Sequence, residues 1–297
     1  MHRIGIVAKL GEPRAAEAAR QLSAWLTERG DAVWVQQRLV ADLTAAEDFP
    51  ATGVPDDQLA DECDLIVVLG GDGTLLYASR LVATAGIPIF PVNLGHLGFL
   101  CNAEVDNLFP HMERVLAGDH TVVERLLLAG EIRRDGERVA GPFWALNDMV
   151  VHLGSIARML ELRVAIDGFV AVPSLKADGL IVSSPTGSTA YNLSAGGPIL
   201  APTMQAMILA PILPLSLSQR PVVVDGGSEV DVELIGDADR AYVTCDGQER
   251  RVLEPGDQLA VRRADQPARV VDMGERTFYQ VLRHKMGWAL KPGEEKA

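Results

Sequence analysis

The segment Asp64–Leu69 (DLIVVL) is a continuous apolar run, and the glycine-rich turn Gly70–Thr74 (GGDGT) follows it directly. A run of this kind is typical of a parallel strand that is buried on both faces. Further strands are predicted at Arg3–Ala8, Ala32–Gln36 and Ile87–Val92, and helices are predicted at residues 12–30 and 75–85. This alternation predicts an open, mostly parallel sheet whose ligands bind at the carboxyl ends of its strands.

The pattern changes near Asp119 to short alternating apolar and polar runs, spaced about ten residues apart. Three Asp-Gly pairs between these runs are predicted to form hairpin turns, namely Asp167-Gly168, Asp225-Gly226 and Asp246-Gly247. Repeated strands of this length predict an antiparallel β-sandwich. The fold class is therefore α/β plus all-β, with a Rossmann-like α/β domain followed by a sandwich.

The length of 297 residues suits two domains. We place the α/β domain at residues 1–120 and the sandwich at residues 121–272. The tail, residues 273–297, is expected to pack back on the first domain because Thr277–Trp288 has helical spacing. Residues 41–58 are polar and contain two prolines, which favours a loose connection there.

The formal net charge is −13 at pH 7, from 27 Lys and Arg against 40 Asp and Glu. This balance argues against a chain-wide surface for nucleic acid or for an anionic membrane. Cys63, Cys101 and Cys245 are scattered without a CxxC pair, and the N-terminal residues lack the apolar run of a signal peptide. No histidine has partners at the spacing of metal ligands. We expect a cytoplasmic protein without a resident metal site.

Asp72 is an unusual residue for a glycine-rich turn between a strand and a helix. The glycines allow close approach of a ligand, and the start of the helix offers N–H groups to an anion, so the turn is a candidate phosphate cradle. A carboxylate there repels phosphate unless it takes a proton from an attacking hydroxyl or holds Mg²⁺ on a nucleotide. The alternative is that Asp72 caps a helix that begins near Leu75.

Two further segments carry polar groups that suit a nucleotide. Residues Asp178–Tyr191 (DGLIVSSPTGSTAY) combine an apolar strand with five Ser and Thr hydroxyls, and Tyr191 offers an aromatic surface to a base. The pair Asn147-Asp148 offers an amide to an adenine edge and a carboxylate to ribose hydroxyls. Taken alone, a Ser/Thr-rich stretch and an Asn-Asp pair are more often simple turns.

Together these motifs resemble those of the NAD kinase family. GGDGT after an apolar strand is also found in diacylglycerol kinases, sphingosine kinases and 6-phosphofructokinases. The motif therefore implies phosphoryl transfer but does not identify the acceptor. The stretch Asp178–Pro198 is similar to the long signature of NAD kinases. Three further segments resemble motifs of this family: Asn93–Leu100 (NLGHLGFL), Cys245–Gln248 (CDGQ) and Arg283–Trp288 (RHKMGW). The last of these resembles the C-terminal segment of Gram-negative members. The resemblance extends from about residue 3 to about residue 290.

The resemblance implies phosphorylation of the adenosine ribose 2′-hydroxyl of NAD by ATP, with Asp72 as catalytic base and Mg²⁺ entering with ATP. The residues implied to bind the ATP phosphates are Gly70, Gly71, Gly73 and Thr74. Those implied to bind NAD are Asp72, Gly73, Phe99, Asn147, Asp148, Lys176, Asp178, Thr186, Thr189, Ala190, Tyr191 and Ser194. The family also implies a homodimer or homotetramer that assembles through the sandwich domain.

Two positions depart from common family patterns. Leu215 stands where many bacterial members have His, so a contact from that His is absent. Lys176 stands where relatives often have Arg, and it resembles the variant that prefers NAD to NADH. The alternatives are a lipid or sugar kinase of the same superfamily and a non-catalytic NADP sensor, although the intact Asp72 argues against a sensor. The sequence leaves open the choice between ATP and polyphosphate and between dimer and tetramer.

Overall fold

The computed structural model describes residues 1–43, 51–95, 98–101, 103–154, 159–236 and 240–287. The chain divides into two compact units, Met1–Glu124 with Ala268–Ala297, and Arg125–Pro267. The first unit is α/β and the second is built from antiparallel sheets, so the predicted fold class is confirmed. Within these described ranges, no helix has the length and apolar character needed to cross a bilayer.

The first unit is built around an eight-stranded sheet. Its strands are β1 (Arg3–Ala8), β2 (Ala32–Gln36), β3 (Thr52–Val54), β4 (Leu65–Leu69), β5 (Ile89–Asn93), β6 (Ala103–Glu104), β7 (Thr121–Arg125) and the late strand Ala268–Asp272. Its helices are α1 (Pro13–Glu28), α2 (Gln37–Leu43), α3 (Leu59–Glu62), α4 (Asp72–Leu81), α5 (Leu108–Leu116) and the late helix Phe278–Met286. The strand order is β3-β2-β1-β4-β5, then the late strand and β7, with β6 beside β5.

The strand order reverses between β1 and β4. The chain leaves β1 toward β2 and β3, and then places β4 on the opposite side of β1. The two strands are parallel, with Ile6 opposite Val67, and the Lys9 N–H donates to the Leu69 carbonyl at 2.9 Å. Ligands of open α/β sheets bind at such a switch point, outside the carboxyl ends of the strands. The glycine-rich turn begins at this point, directly after Leu69.

The second unit consists of two six-stranded antiparallel sheets. Its strands are β8 (Leu128–Arg134), β9 (Glu137–Ala145), β10 (Asp148–His152), β11 (Leu160–Ile166), β12 (Phe169–Ala177), β13 (Gly179–Ser183), β14 (Ala206–Ile212), β15 (Val222–Asp225), β16 (Val230–Ile235), β17 (Ala241–Cys245), β18 (Glu249–Leu253) and β19 (Gln258–Arg263). One sheet has the order β15-β14-β13-β10-β17-β18, and the other β12-β11-β16-β19-β8-β9. Alternate apolar residues of both sheets form one core, which is the arrangement of a sandwich.

Two strands assigned to the sandwich from the sequence lie elsewhere. Thr121–Arg125 and Ala268–Asp272 belong to the sheet of the first unit, where Val270 pairs in parallel with Ile89. The second unit therefore extends from Arg125 to Pro267, which is shorter at both ends than the predicted sandwich of residues 121–272. Alternation of apolar and polar residues identifies a strand, but it does not identify the sheet that the strand joins.

Two of the three predicted hairpin turns are confirmed. Asp167-Gly168 joins β11 to β12, and Asp246-Gly247 joins β17 to β18, with positive φ at all four residues. Asp225-Gly226 does not form a hairpin, because β15 pairs with β14 while β16 pairs with β11 and β19. That turn carries the chain from one sheet to the other. An unpredicted Asp-Gly hairpin at Asp135-Gly136 joins β8 to β9.

The prediction of a loose connection over residues 41–58 is wrong in part. Helix α2 extends to Leu43, and the three-residue strand β3 pairs in parallel with β2. Residues 44–50 lie outside the described residues. A strand of three residues between Pro50 and Pro55 is too short to give a period-two pattern, so it could not be predicted from the sequence.

Candidate active site

Asp72 does not cap its helix. Gly71 occupies the N-cap position of α4, and Asp72 is the first helical residue, so the helix begins before the predicted Leu75. The Asp72 carboxylate instead accepts hydrogen bonds from the backbone N–H groups of Phe99 at 2.9 Å and Leu100 at 3.1 Å. The capping alternative is therefore wrong. The side chain is directed toward the turn that follows β5.

The glycines of this turn differ in what their missing side chains allow. A Cβ on Gly70 would lie 2.2 Å from the Thr74 hydroxyl oxygen, so Gly70 leaves room for Thr74. A Cβ on Gly71 would meet no atom within 4 Å, so the backbone there borders open space. The Gly70 N–H donates to the Val92 carbonyl at 3.0 Å, which ties the turn to β5. A phosphate could approach the start of α4 along the open side of Gly71.

The second unit contains a cavity of about 670 Å³. Predicted NAD-binding residues that line it are Asn147, Asp148, Asp178, Ala190 and Tyr191. Tyr191 is 47% exposed, so its ring is available to a ligand. A cavity of this size is within the range of small-molecule and cofactor sites.

Two predicted side chains hold polar atoms without a partner. Asn147 Oδ1 and Thr186 Oγ1 are buried, and neither has a hydrogen-bond partner among the described residues. An unpaired buried polar atom costs about 1–3 kcal/mol, so such atoms are normally paired by protein, water or ligand. A nucleotide that supplies donors here would remove this cost.

Three of the five hydroxyls in the Ser/Thr-rich stretch donate hydrogen bonds to backbone carbonyls. The Ser183 hydroxyl donates to the Asn147 carbonyl at 3.2 Å, the Ser184 hydroxyl donates to the Leu146 carbonyl, and the Ser188 hydroxyl donates to the Pro185 carbonyl at 2.6 Å. All three serines are buried. The Asn147 carbonyl also explains the glycine of this motif, since a Cβ on Gly187 would lie 2.1 Å from it.

Asp148 has an electrostatic environment unlike that of an ordinary carboxyl. It is 5% exposed, and Asp246 lies close enough to repel a second negative charge. Burial first, and the charge of Asp246 second, raise the pKa of Asp148 to about 7. Asp246 is fixed by N–H donors from Leu146 at 3.0 Å and Asn147 at 2.7 Å. The Asp148 carboxyl is therefore part protonated at neutral pH.

Sequence reasoning missed several residues of the cavity. They are Val150, His152, Leu153, Ile212, Leu213, Thr244, Asp246 and Gly247. Alternation was the signal that could have found some of them, because Asp148, Val150 and His152 share one face of β10. In the same way, Thr244 precedes Asp246 by two residues at the end of β17.

The other predicted NAD-binding residues lie in several places. Ser194 is exposed three residues after Tyr191, on the same face of α6 (Tyr191–Ser194), and Thr189 is half-buried just before that helix. Lys176 is exposed on β12, with its Nζ 3.8 Å from Glu161 Oε2, and it does not line the cavity. Phe99 is half-buried in the first unit, beside Asp72. His96, Leu97 and Trp288, which complete the quoted motifs, lie outside the described residues.

A glycine-rich turn at a switch point, with a carboxylate in it, and a polar cavity in a separate sandwich define a nucleotide-dependent phosphotransferase. Among the described residues, no group of three His, Cys, Asp or Glu side chains could hold a metal ion. Family models match both units. The ATP-NAD kinase N-terminal domain matches residues 4–120, and the ATP-NAD kinase C-terminal domain matches residues 146–273.

Relatives and solved structures agree with this match. The NAD kinase of Heliobacterium modesticaldum is 44% identical over 289 residues, which cover 96% of this chain and 99% of that protein. The NAD kinase of Pseudomonas fluorescens is 41% identical over 295 residues, covering 98% and 97% of the two chains. Yeast NADH kinase, solved with NADH, has a TM-score of 0.90 at 25% identity and covers 99% of this chain and 90% of its own. An Archaeoglobus fulgidus NAD kinase, solved with ATP, has a TM-score of 0.74 at 24% identity, covering 94% and 98%.

The chain therefore belongs to the ATP-NAD kinase family. It is a transferase that uses ATP to phosphorylate NAD. This confirms the resemblance identified from the sequence and gives no support to the lipid-kinase and sugar-kinase alternatives.

Proposed function

We propose that Asp72 is the catalytic base of this NAD kinase. The 2′-oxygen of the adenosine ribose attacks the γ-phosphorus of ATP, and the bond from that phosphorus to the β,γ-bridging oxygen breaks. Asp72 accepts the hydroxyl proton, and the products are NADP and ADP. The observation that carries this proposal is the orientation of the Asp72 carboxylate, which is fixed by two backbone donors and not used as a helix cap.

We further propose that Gly70, Gly71, Gly73 and Thr74 receive the phosphates of ATP. The open space beside Gly71 and the N–H groups at the start of α4 support this assignment. ATP enters as its Mg²⁺ complex, in which the cation offsets the charge that a nearby Asp72 would otherwise repel. In this proposal magnesium enters as part of the nucleotide substrate.

NAD is proposed to bind in the cavity of the second unit. The unpaired oxygen of Asn147, which lines the cavity, is an acceptor for a base or sugar donor, and the ring of Tyr191 offers a stacking surface. Thr186 Oγ1 is also unpaired, but Thr186 is not among the residues that line the cavity. Asp148 in its ionised form is an acceptor for ribose hydroxyls. Asp178 and Ala190 line the same cavity, and Thr189 and Ser194 lie within three residues of Tyr191 in the chain, so we assign all four as secondary contacts. Lys176 does not line the cavity and is not assigned as a contact.

Turnover across a substrate panel tests this function. We expect the purified protein to form NADP from NAD and ATP, and to release no ADP with fructose 6-phosphate or a diacylglycerol. NADH, and polyphosphate in place of ATP, extend the same panel. Failure to form NADP while NADP still binds in titration calorimetry would contradict the proposal and favour a sensor.

Tyr191→Ala is expected to raise the KM for NAD about tenfold and to leave the KM for ATP within about twofold. The physical reason is the loss of base stacking, which contributes about 1–3 kcal/mol per base. The measurement is steady-state kinetics with each substrate varied in turn. Tyr279→Ala is a matched control, because Tyr279 is also exposed but lies on the late helix of the first unit. Equal effects of Tyr191→Ala on both KM values would contradict the stacking role.

Removal of divalent cations with EDTA is expected to lower turnover by at least about 100-fold, and Mg²⁺ is expected to restore it. The reason is that the cation neutralises charge on the transferring phosphoryl group. NAD binding, measured by calorimetry without ATP, should not change on EDTA treatment. Full activity in EDTA would show that the nucleotide is used without a metal.

We also propose that the chain forms homo-oligomers in the cytoplasm. Exposed apolar side chains cluster after β14 and on β15, which is the edge strand of its sheet, and they are Leu213, Leu215, Leu217, Val222 and Val223. Apolar patches and open strand edges favour association. The cysteines, all free and buried, suit a reducing compartment. Light scattering with size-exclusion chromatography would distinguish dimer from tetramer.

A further inference from the structure

We propose that Gly98 is a positioning residue for the reaction, because its missing side chain is what allows the Asp72 carboxylate to take its place. This inference rests on the proposed role of Asp72 as the base. Residue 98 was not among the site residues predicted from the sequence, although it lies in the Asn93–Leu100 motif. The inference concerns residues of the first unit only.

The space that Gly98 leaves open is filled by one chemical group. A Cβ built on Gly98 would lie 2.0 Å from Asp72 Oδ1, 2.7 Å from Asp72 Cγ and 2.9 Å from Asp72 Oδ2. These three atoms make up the carboxylate, and they are the nearest atoms to that point. The Asp72 carboxylate therefore approaches position 98 too closely for a residue with a Cβ to fit there.

The two residues after Gly98 fix the carboxylate in this space. The Phe99 N–H donates to Oδ2 and the Leu100 N–H donates to Oδ1, so each oxygen accepts one bond from the same turn. An ionised carboxyl group can accept about four hydrogen bonds, so each oxygen keeps acceptor capacity for a substrate hydroxyl. The turn thus sets the orientation of the base without occupying all of its lone pairs.

The glycine turn follows β4, and residues 98–100 lie in the chain between β5 and β6 of the same sheet. Strands β4 and β5 are parallel neighbours, with Leu69 opposite Val92, and the Gly70 N–H donates to the Val92 carbonyl at 3.0 Å. Asp72 follows the first of these strands and Gly98 follows the second. Residues 98–100 lie between β5 and β6, which pair in parallel with Val92 opposite Ala103, so a side chain at position 98 cannot be accommodated by moving this segment freely away from the glycine turn.

An alanine at position 98 would force the carboxylate or the turn to move by more than about 1 Å to reach an ordinary contact. A displacement of about 1 Å in a reacting group can cost on the order of 100-fold in rate. We therefore expect Gly98→Ala to lower kcat about 10- to 100-fold while both KM values stay within about twofold. Because a smaller folded fraction also lowers the apparent kcat at unchanged KM, kcat is expressed per folded molecule, with the folded fraction of each variant measured by circular dichroism.

Gly5→Ala is the control for a packing defect. A Cβ on Gly5 would lie 2.6 Å from Ile66 Cδ1 inside the same sheet, far in the chain from either turn. This variant is expected to lower the Tm and to leave kcat per folded molecule within about twofold. Its comparison with Gly98→Ala separates loss of packing from loss of the base geometry.

A second measurement uses the Asp72→Ala background, in which the carboxylate is absent. Gly98→Ala should lower the Tm by about 2–4 °C in the wild-type background and by less than about 1 °C when residue 72 is Ala. A kcat loss together with this coupling supports the proposal. A kcat within about twofold of wild type, or equal Tm losses in both backgrounds, overturns it. Retained turnover in Asp72→Asn would instead remove the base assignment, so the two failures appear in different variants.

Discussion

Asp72→Asn is expected to lower kcat by about 1,000-fold while the binding of NAD and of ATP stays within about threefold. General-base catalysis contributes about 100- to 10,000-fold, and the amide cannot accept the proton. An asparagine has nearly the shape of aspartate, but its amide nitrogen cannot accept one of the two backbone hydrogen bonds from Phe99 and Leu100, so the Tm of the variant is measured alongside its kinetics. The measurements are kcat by NADP formation and binding constants by titration calorimetry.

The matched control for this variant is Asp64→Asn, at the opposite end of β4. Asp64 is exposed and pairs with Arg3 at 2.6 Å, so its replacement removes one carboxylate of the same unit without touching the turn. It should leave kcat within about twofold of wild type. A kcat for Asp72→Asn within about threefold of wild type would contradict the role of Asp72 as the base.

The second large effect concerns stability and pH. The native pKa of Asp148 is about 7, whereas an unfolded Asp titrates near pH 4. The native state therefore binds the proton more tightly than the unfolded state, and its stabilisation by that proton is lost as pH rises from about 4 to about 7. This contribution is at most about 4 kcal/mol, and above about pH 7 it has been lost completely.

Asp148→Asn should remove this pH dependence, because an amide stays neutral at every pH. We expect the variant to be more stable than wild type by about 2–4 kcal/mol at pH 8, and the difference to shrink as pH falls toward 4. Denaturant unfolding of both proteins at several pH values measures it. The same substitution should weaken NAD binding at pH 8, since the ionised acceptor is lost.

Asp178→Asn is the control for the stability effect. Asp178 lines the same cavity but is exposed, so its substitution removes a carboxylate from the cavity without removing a buried one. We expect this variant to show no gain in stability at pH 8 of the size expected for Asp148→Asn. Parallel stability curves for wild type and Asp148→Asn would contradict the electrostatic account of Asp148.

Local chemistry made much of the site predictable from the sequence. The GGDGT turn could be placed because an apolar strand, glycines and a helix follow one another along the chain. The Ser/Thr-rich signature was found by its length, but the sequence does not distinguish hydroxyls that bond to the backbone from hydroxyls that are available to a ligand. Only the structure separates Ser183 and Ser188, which fix the backbone, from Thr186, whose hydroxyl is buried without a partner.

The features that could not be predicted depend on contacts between distant parts of the chain. Asp72 meets the turn at Gly98 only because β4 and β5 are neighbours in the sheet. The late strand Ala268–Asp272 joins that sheet although the whole sandwich lies between it and β7 in the chain. The pKa of Asp148 likewise depends on Asp246, which is adjacent in space through the pairing of β10 with β17. Neither hydrophobic period nor turn chemistry encodes such pairings.

The most direct test of the central claim is the distance from the Asp72 carboxylate to the adenosine 2′-oxygen in a crystal structure of the protein with bound NAD. The account predicts a hydrogen-bond distance of about 2.6–3.2 Å, either direct or through one water. A fully occupied NAD whose 2′-oxygen lies more than about 6 Å from both carboxylate oxygens, with no bridging water, would contradict it.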